Sequence, residues 1–430
     1  MDPYAHLKGE DPDVYETLMG EETREREGLE LIPSENYVSR AVREAMGSVM
    51  TNKYSEGYPG KRYYGGQEYT DQVETFAISR AKELFGADHA NVQPLGGAAA
   101  NIAAYFSWLE PGDTVLGMDL SHGGHLTHGA PVTYMAKLFR FVRYGMSDVD
   151  TGAIDYEALR ALAQQEKPKL ILAGFSAYPR ELDWKKIADI AREVGAVAMA
   201  DVAHTAGLIA GGVAENPLEH GFHIMTTTTH KTLRGPRGGM ILSKGIVSSP
   251  LKAPEKTIEN LPTLIDRSVF PGLQGGPHMH QIAAKAVCFK EALDPSFKDY
   301  AAQVVKNAKA MEDVFRASGI RMIAGGTDNH LLLLDVQSSL GLSGGEAETL
   351  LDAAGITLNK NTIPNDERKA FDPSGIRLGT PAITTRGFKE KESARVAELI
   401  VEALRTKDPA SMREEVRTLA LAHPVPESFA

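Results

Sequence analysis

A lysine follows a threonine-rich run that is typical of a buried β-strand. The run spans residues 224–229, and His230, Lys231 and a glycine-rich loop containing Arg237 come after it. A lysine amine must be neutral to attack an aldehyde, and burial or a nearby cation lowers its pKa from about 10.4. By itself, however, Lys231 is more simply explained as a solvated surface lysine.

A carboxylate earlier in the chain changes this interpretation. Asp201 ends another apolar run, at residues 196–201. A buried carboxylate can pair with the protonated ring nitrogen of pyridoxal 5′-phosphate and keep the ring electron-withdrawing. Asp201 alone could also cap the turn that follows it. An aspartate and a lysine at neighbouring strand ends together predict that Lys231 carries this cofactor as a Schiff base, with His204 near the cofactor's phenolic oxygen.

Two glycine-rich segments add candidate contacts. Gly96 and Gly97 open an alanine-rich helix, whose first N–H groups could hold a phosphate, although an ordinary turn fits the same pattern. His122, His125 and His128 recur at a spacing of three, which invites a zinc site. Glycines interrupt a helical ligand face there, and no nearby carboxylate supports the histidines. We therefore expect no metal, and we interpret His125 as stacking on the cofactor ring.

Composition limits the class of protein. The chain has 430 residues and a net charge of −11, which argues against a general nucleic-acid or membrane-surface binder but leaves a local basic patch open. The single cysteine, Cys288, excludes an internal disulfide and a multi-cysteine metal site. The N-terminus resembles neither a signal nor a transit peptide, and no run of 18 apolar residues occurs. We expect a cytoplasmic protein without a membrane span.

Strand and helix patterns alternate along much of the chain. Strands are predicted at residues 114–119, 138–144, 170–175, 196–201, 224–229 and 239–243, and helices at 71–84, 155–165, 184–194 and 277–292. This alternation predicts an α/β fold with a mainly parallel sheet, whose ligands lie at the carboxyl ends of the strands. We expect an N-terminal arm (1–45), a large cofactor-binding domain (46–285) and a small C-terminal α+β domain (286–430).

Taken together, the motifs resemble the serine hydroxymethyltransferase family over nearly the whole chain. Besides the runs above, the matching segments are residues 31–36, 51–66, 270–277 and 374–384. The resemblance implies an aspartate-aminotransferase-like fold (fold type I). It also implies a homodimer with active sites at the subunit interface, and leaves a tetramer open. The implied reaction interconverts serine plus tetrahydrofolate and glycine plus 5,10-methylenetetrahydrofolate.

The resemblance assigns roles by matched motif. The residues expected to contact the cofactor are Lys231, Asp201, His204, His125, Ser176, Gly97 and Ala98, with Tyr54 and Gly275 reaching across from the partner subunit. The substrate carboxylate is expected at Arg377 and Ser34. The remaining catalytic residues are expected to be Glu56 as the proton-transfer group, Tyr64, Thr228 and His230. The residues expected to bind folate are Leu120, Gly124, Leu126, Asn361, Lys369, Ala370 and Phe371.

Two departures from the family pattern carry expectations of their own. Gly96 and Ala98 stand where the family has serines. A lost hydrogen bond to a charge costs about 1.5–3 kcal/mol, so cofactor binding should be weaker by roughly ten- to a hundredfold, but not abolished. Residues 369–371 read Lys-Ala-Phe where Ser-Pro-Phe is common, so details of the folate contact can differ from the family.

Other functions fit parts of the same pattern. A related pyridoxal-phosphate enzyme could act on α-methylserine or as a threonine-type aldolase. A non-catalytic protein of the same fold, for example one that binds RNA, is the more distant alternative, supported only by the altered phosphate loop.

Overall fold

The computed structural model describes residues 4–246 and 254–426. The α-helices are α1 (Ala5–Glu10), α2 (Pro12–Glu27), α3 (Arg40–Met46), α4 (Glu68–Phe85), α5 (Gly97–Trp108), α6 (Met135–Leu138), α7 (Tyr156–Glu166), α8 (Trp184–Glu193), α9 (Ala206–Ala210), α10 (Leu261–Arg267), α11 (Met279–Ala292), α12 (Ser296–Ala317), α13 (Val336–Leu340), α14 (Gly344–Ala353), α15 (Pro381–Thr385), α16 (Glu390–Thr406) and α17 (Pro409–Ala422).

The β-strands are short. They are β1 (Leu29–Glu30), β2 (Gly57–Tyr58), β3 (Lys61–Arg62), β4 (His89–Asn91), β5 (Thr114–Met118), β6 (Arg140–Tyr144), β7 (Leu170–Gly174), β8 (Val197–Asp201), β9 (Ile224–Thr228), β10 (Gly239–Ser243), β11 (Arg321–Met322), β12 (Leu331–Asp335), β13 (Ile356–Thr357), β14 (Asn359–Asn361) and β15 (Gly375–Gly379).

The chain folds into two compact units. The sheet unit is Arg40–Ala302, and the terminal unit combines the described residues up to Ser39 with those from Gln303 onwards. The sequence predicts an arm and two domains that fold as separate parts. Compact units do not test independent folding, so this division stays a prediction.

A seven-stranded sheet forms the centre of the sheet unit. Its strand order is β4-β10-β9-β8-β7-β5-β6, and only β10 runs against its neighbours. The predicted α/β class with a mainly parallel sheet is confirmed. Each of the six predicted strands matches an observed strand to within two residues at either end. Helix α4 begins three residues before its predicted start, and α11 begins at Met279 because His278 is extended.

The central strands are buried along their whole length because both faces of the sheet are covered. Strands β7, β8 and β9 are buried at every position, as parallel strands between helical layers must be. Small side chains let α5 approach the sheet closely, and Ala100, Ala103 and Ala104 are buried in the same core as Leu172 and Met199. The core therefore fixes α5 against the strands whose ends carry the candidate residues.

The terminal unit has an α+β architecture. An antiparallel sheet of order β11-β12-β15-β14 lies within it, together with the parallel pair β1-β13. Leu332, Leu334, Ile376 and Leu378 pack with apolar residues of α14, α16 and α17 in one core. Among the described residues of both units, no helix is long and apolar enough to cross a membrane.

Gly174 lets the ends of β7 and β8 lie close together. Its φ is +136°, and an added Cβ would overlap the carbonyl oxygen of Asp201 on the adjacent strand. We expect Gly174→Ala to lower the free energy of unfolding by more than the about 1–2 kcal/mol of left-handed backbone strain. The matched control is Gly195→Ala, at φ +70° with no atom within 4 Å of the added Cβ, which should cost that strain alone. Urea unfolding of both variants would show this difference, and equal losses would contradict the steric argument.

Candidate active site

A buried carboxylate at the end of β8 is the centre of a hydrogen-bond network. Asp201 Oδ2 accepts from Asn101 Nδ2 at 2.8 Å and lies 3.0 Å from His128 Nε2, while Oδ1 accepts the Ala203 N–H at 3.1 Å. Burial raises the pKa of Asp201, but the hydrogen bond and electrostatic effect of His128, the electrostatic effect of His125 and the hydrogen bond from Asn101 outweigh burial and hold that pKa well below its usual range. Asp201 is therefore a buried anion at neutral pH.

The surrounding bonds fix the tautomer of His128. The backbone N–H of His125 donates to His128 Nδ1 at 3.1 Å, so the ring hydrogen lies on Nε2 and is donated to Asp201. Thr127 links the same groups, because its hydroxyl accepts from Asn101 Nδ2 at 2.8 Å and lies 2.7 Å from His125 Nδ1. The expectation that no carboxylate lies near these histidines is wrong, because folding brings Asp201 to them from 73 positions away in the chain.

Ligand atoms of His125, His128 and Asp201 lie within 4.8 Å of one another and could hold a metal ion. The bonds just described engage both ring nitrogens of His128 and both oxygens of Asp201. Hydrogen bonding therefore accounts for this cluster without a metal.

Lys231 follows β9, the strand next to β8. The two strands are parallel with Asp201 opposite Thr226, so the prediction that Asp201 and Lys231 follow neighbouring strand ends is confirmed. Lys231 is buried, in a turn closed by the Gly235 N–H donating to the Thr229 carbonyl at 2.7 Å. On the adjoining loop, the His204 carbonyl accepts from the Thr232 hydroxyl at 2.9 Å.

The pKa of His230, the residue before Lys231, is strongly lowered. Burial, with the positive charges of Arg237 and Lys231, lowers its pKa to about 3. Its Nδ1 accepts the Gly238 N–H at 3.4 Å, and Thr228 is buried at the end of β9. Both residues therefore present neutral groups at this strand end.

The start of α5 lies against the same strand. Gly96 is the N-cap and makes no side-chain capping bond, and the first N–H groups of a helix have no acceptor within the helix. An added Cβ at Gly97 would lie 2.7 Å from Thr228 Cγ2, so a glycine is needed for this close approach. Gly97 and Ala98 thus offer backbone donors at the strand edge where Asp201 and Lys231 lie.

Tyr54, Glu56 and Tyr64 come together before and after the β2–β3 hairpin. The Tyr54 hydroxyl donates to Glu56 Oε1 at 3.3 Å, and the rings of Tyr54 and Tyr64 pack edge to face at 5.3 Å. A Cβ added at Gly275 would lie 3.5 Å from Glu56 Oε1, so these four predicted residues are neighbours. Tyr54 is 55% exposed and Tyr64 50% exposed.

The sequence patterns did not reveal how Glu56 is held. Arg62 Nη1 donates to the carbonyls of Ser55 at 2.8 Å and Gly57 at 2.9 Å, which are the two residues flanking Glu56. The Arg62 guanidinium is itself paired with Glu74 and Asp71. An arginine and an acid twelve positions apart are too common to signal such a clamp.

The loop after β5 carries three of the predicted folate residues. Leu120 is 44% and Leu126 47% exposed, and an added Cβ at Gly124 would overlap the Met118 carbonyl. The N–H of Ser176 donates to the Gly123 carbonyl at 2.7 Å. Ser176 is therefore beside the loop that carries His125.

The remaining predicted residues belong to the terminal unit. Arg377 on β15 donates from Nε and Nη2 to Asn359 Oδ1 at 3.2 and 3.1 Å, and burial lowers its pKa to about 10. The Gly379 N–H donates to the Leu31 carbonyl at 2.7 Å, which ties the segment of Ser34 to the same strand. The other members of this set are Asn361 at the end of β14 and the exposed residues Lys369, Ala370 and Phe371.

Known proteins resemble this chain over nearly its whole length. A family model described as serine hydroxymethyltransferase matches residues 7–400. A curated serine hydroxymethyltransferase from Desulforapulum autotrophicum is 54% identical over 420 residues, which cover 97% of this chain and 97% of that protein.

The lowered pKa of His230 predicts a pH dependence of stability. The unfolded chain binds a proton at a pKa of about 6.5, whereas the folded state does so only near pH 3. Falling pH therefore favours the unfolded state throughout this window. We expect His230→Asn to lose about 1–2 kcal/mol less of its unfolding free energy than the original protein between pH 7 and pH 5. Urea unfolding at both pH values tests this, with exposed His6→Asn as the control. Equal losses in all three proteins would contradict a partly buried, neutral His230.

Proposed function

This chain belongs to the serine hydroxymethyltransferase family, and from that premise we propose how its residues perform the family's reaction. The protein is a pyridoxal-phosphate-dependent enzyme that interconverts serine plus tetrahydrofolate and glycine plus 5,10-methylenetetrahydrofolate. The observation that carries the residue assignments is the buried, ionised Asp201 on β8 beside the strand that leads to Lys231.

The residues present fit the cofactor. The start of α5 offers backbone N–H groups for the phosphate, Asp201 offers an anion for the ring nitrogen, and Lys231 offers an amine for the aldehyde carbon. When bound, pyridoxal phosphate supplies an electron-withdrawing ring that stabilises negative charge at the substrate's α-carbon. His125 stacks on that ring, held in place by its bond to Thr127.

The other cofactor contacts come from loops and from the second subunit. Ser176 and His204 approach the phenolic oxygen. Gly97 and Ala98 bind the phosphate through their backbone, since neither side chain has a hydroxyl. Tyr54 and Gly275 of the partner subunit complete the phosphate site.

Arg377 and Ser34 bind the substrate carboxylate. A guanidinium whose pKa is about 10 stays protonated at neutral pH, and its planar fork can donate two parallel hydrogen bonds to a carboxylate. The bonds from Arg377 to Asn359 hold that fork in one plane. Fixing the carboxylate orients the bond to be broken, which is a positioning effect.

Glu56 moves a proton at the substrate's hydroxymethyl group. Its Oε1 accepts from the Tyr54 hydroxyl, and the Arg62 bonds to both flanking carbonyls fix the backbone that carries it. A carboxyl held in this way can donate and remove a proton in turn. Tyr64 packs against the Tyr54 ring, while Thr228 and the neutral His230 act as hydrogen-bonding groups rather than as acids.

Tetrahydrofolate is the proposed one-carbon acceptor. The exposed apolar side chains Leu120, Leu126 and Phe371 suit a flat ring, and Phe371 is 72% exposed. Polar contacts come from Asn361 and Lys369, with Gly124 and Ala370 as the backbone neighbours. These residues favour folate-dependent transfer over action on α-methylserine or a threonine-type cleavage, and no specific contact favours an RNA-binding role.

We propose a homodimer in which each active site is built from both subunits. A tetramer would form by association of two such dimers. Several exposed aromatic and apolar side chains lie between residues 49 and 76 of the sheet unit, a composition that suits a protein interface. They are Val49, Tyr54, Tyr63, Tyr64, Tyr69 and Phe76. We also propose a cytoplasmic location, which the single buried cysteine, Cys288, fits because the cytoplasm is reducing.

The function is tested by product formation from serine. We expect glycine to form from serine only when tetrahydrofolate is present. Lys231→Ala should lose both this activity and the cofactor's absorbance band near the visible edge, because the covalent attachment is gone. Lys290→Ala, an exposed lysine on α11, is the matched control and should keep both. Glycine formation without folate would favour the aldolase alternative, and an original protein without the band would refute a pyridoxal-phosphate enzyme.

The shared active site is tested by mixing two inactive chains. Lys231→Ala and Tyr54→Ala homodimers should each be nearly inactive. Hybrid dimers made by co-expression contain one intact site, formed by Lys231 of one chain and Tyr54 of the other, so roughly a quarter of the original activity should return when half of the dimers are hybrids. Activity no higher than the average of the two variants would show that each site lies within one chain.

A further inference from the structure

A fully buried lysine lies beneath the phosphate loop. Lys285 on α11 is 2% exposed. Its ammonium donates to three backbone carbonyls, those of Val92 at 2.6 Å, Pro94 at 3.1 Å and Gly239 at 2.8 Å. These three bonds use all three hydrogens of a protonated amine.

The three carbonyls belong to the two segments that determine the path of the phosphate loop. Val92 and Pro94 lead from β4 to Gly96, and Gly239 begins β10. The Gly239 N–H donates to the Pro94 carbonyl at 3.0 Å, and a Cβ added at Gly239 would overlap Gly96. Lys285 therefore joins these segments at the point where the chain turns into α5.

Burying an ammonium opposes folding. Desolvation lowers the pKa of Lys285 to about 7, although the negative charge of Glu74 acts in the other direction. A methionine would fill similar volume without that penalty. Unlike an apolar side chain, the lysine holds three converging carbonyls in a fixed arrangement through its hydrogen bonds.

We propose that Lys285 is a positioning residue for the cofactor phosphate. Its ammonium holds the backbone that leads into α5, so that the N–H groups of Gly97 and Ala98 are placed to bind the phosphate. Since this chain lacks the loop hydroxyls of its family, the binding depends on backbone placement. The inference rests on the proposed function, because it requires that the phosphate bind at the start of α5.

Two aldehydes that differ only in the phosphate separate positioning from general stability. The apoenzyme is titrated with pyridoxal 5′-phosphate and with pyridoxal, following the absorbance of the bound aldehyde. We expect Lys285→Met to weaken pyridoxal 5′-phosphate binding by about tenfold or more, the effect of losing one hydrogen bond to a charge. Pyridoxal binding should change less than about twofold, because that molecule makes no phosphate contact.

Controls make the outcomes distinct. Cys288→Ala removes another buried side chain from the same helix, one that contacts the Leu233 carbonyl instead, and should leave the ratio of the two affinities unchanged. If Lys285→Met does not fold, Lys285→Gln, which keeps two donor hydrogens, is titrated in the same way. Equal weakening of both aldehydes, or no weakening, would overturn the positioning role. An original apoenzyme that binds neither aldehyde would instead overturn the proposed function.

Discussion

The buried negative charge of Asp201 is the constraint on which the arrangement of the sheet unit depends. A carboxylate in the interior is stable only when hydrogen bonds replace its lost hydration. Here the replacements come from Asn101 on α5, His128 in the loop after β5 and the Ala203 N–H. These groups must converge within hydrogen-bonding distance, so the charge fixes where α5 and the histidine loop lie relative to β8.

The same bonds order the residues of the proposed cofactor site. The His128 tautomer is set by the His125 N–H, and Asn101 Oδ1 accepts from the Thr226 hydroxyl on β9 at 2.6 Å. One buried polar network thereby joins strands β8 and β9, helix α5 and the loop of His125. Networks of this kind are rigid when every member is satisfied, which suits a site that must hold a flat ring in one orientation.

Backbone groups, rather than side chains, form several of the contacts around the candidate site. The proposed phosphate loop carries Gly97 and Ala98, which have no hydroxyls, and a Cβ at Gly97 would clash with Thr228. Arg62 and Lys285 both donate hydrogen bonds to backbone carbonyls. Arg62 holds the two carbonyls that flank Glu56, whereas Lys285 joins carbonyls from two segments that lie apart in the chain and so holds the loop that carries Gly97.

The sequence alone determined six strands of the central sheet, the α/β class and the family, because β-rich runs and long motifs are local properties of the chain. It also determined that Asp201 and Lys231 follow adjacent strands, since parallel strands place their carboxyl ends together. Only the tertiary structure decided that His128 rather than His125 bonds Asp201, that Arg62 clamps the residues around Glu56, and that Lys285 lies under the phosphate loop. These contacts join positions far apart in the chain through side-chain direction and hydrogen-bond geometry, and neither periodicity nor residue type specifies those.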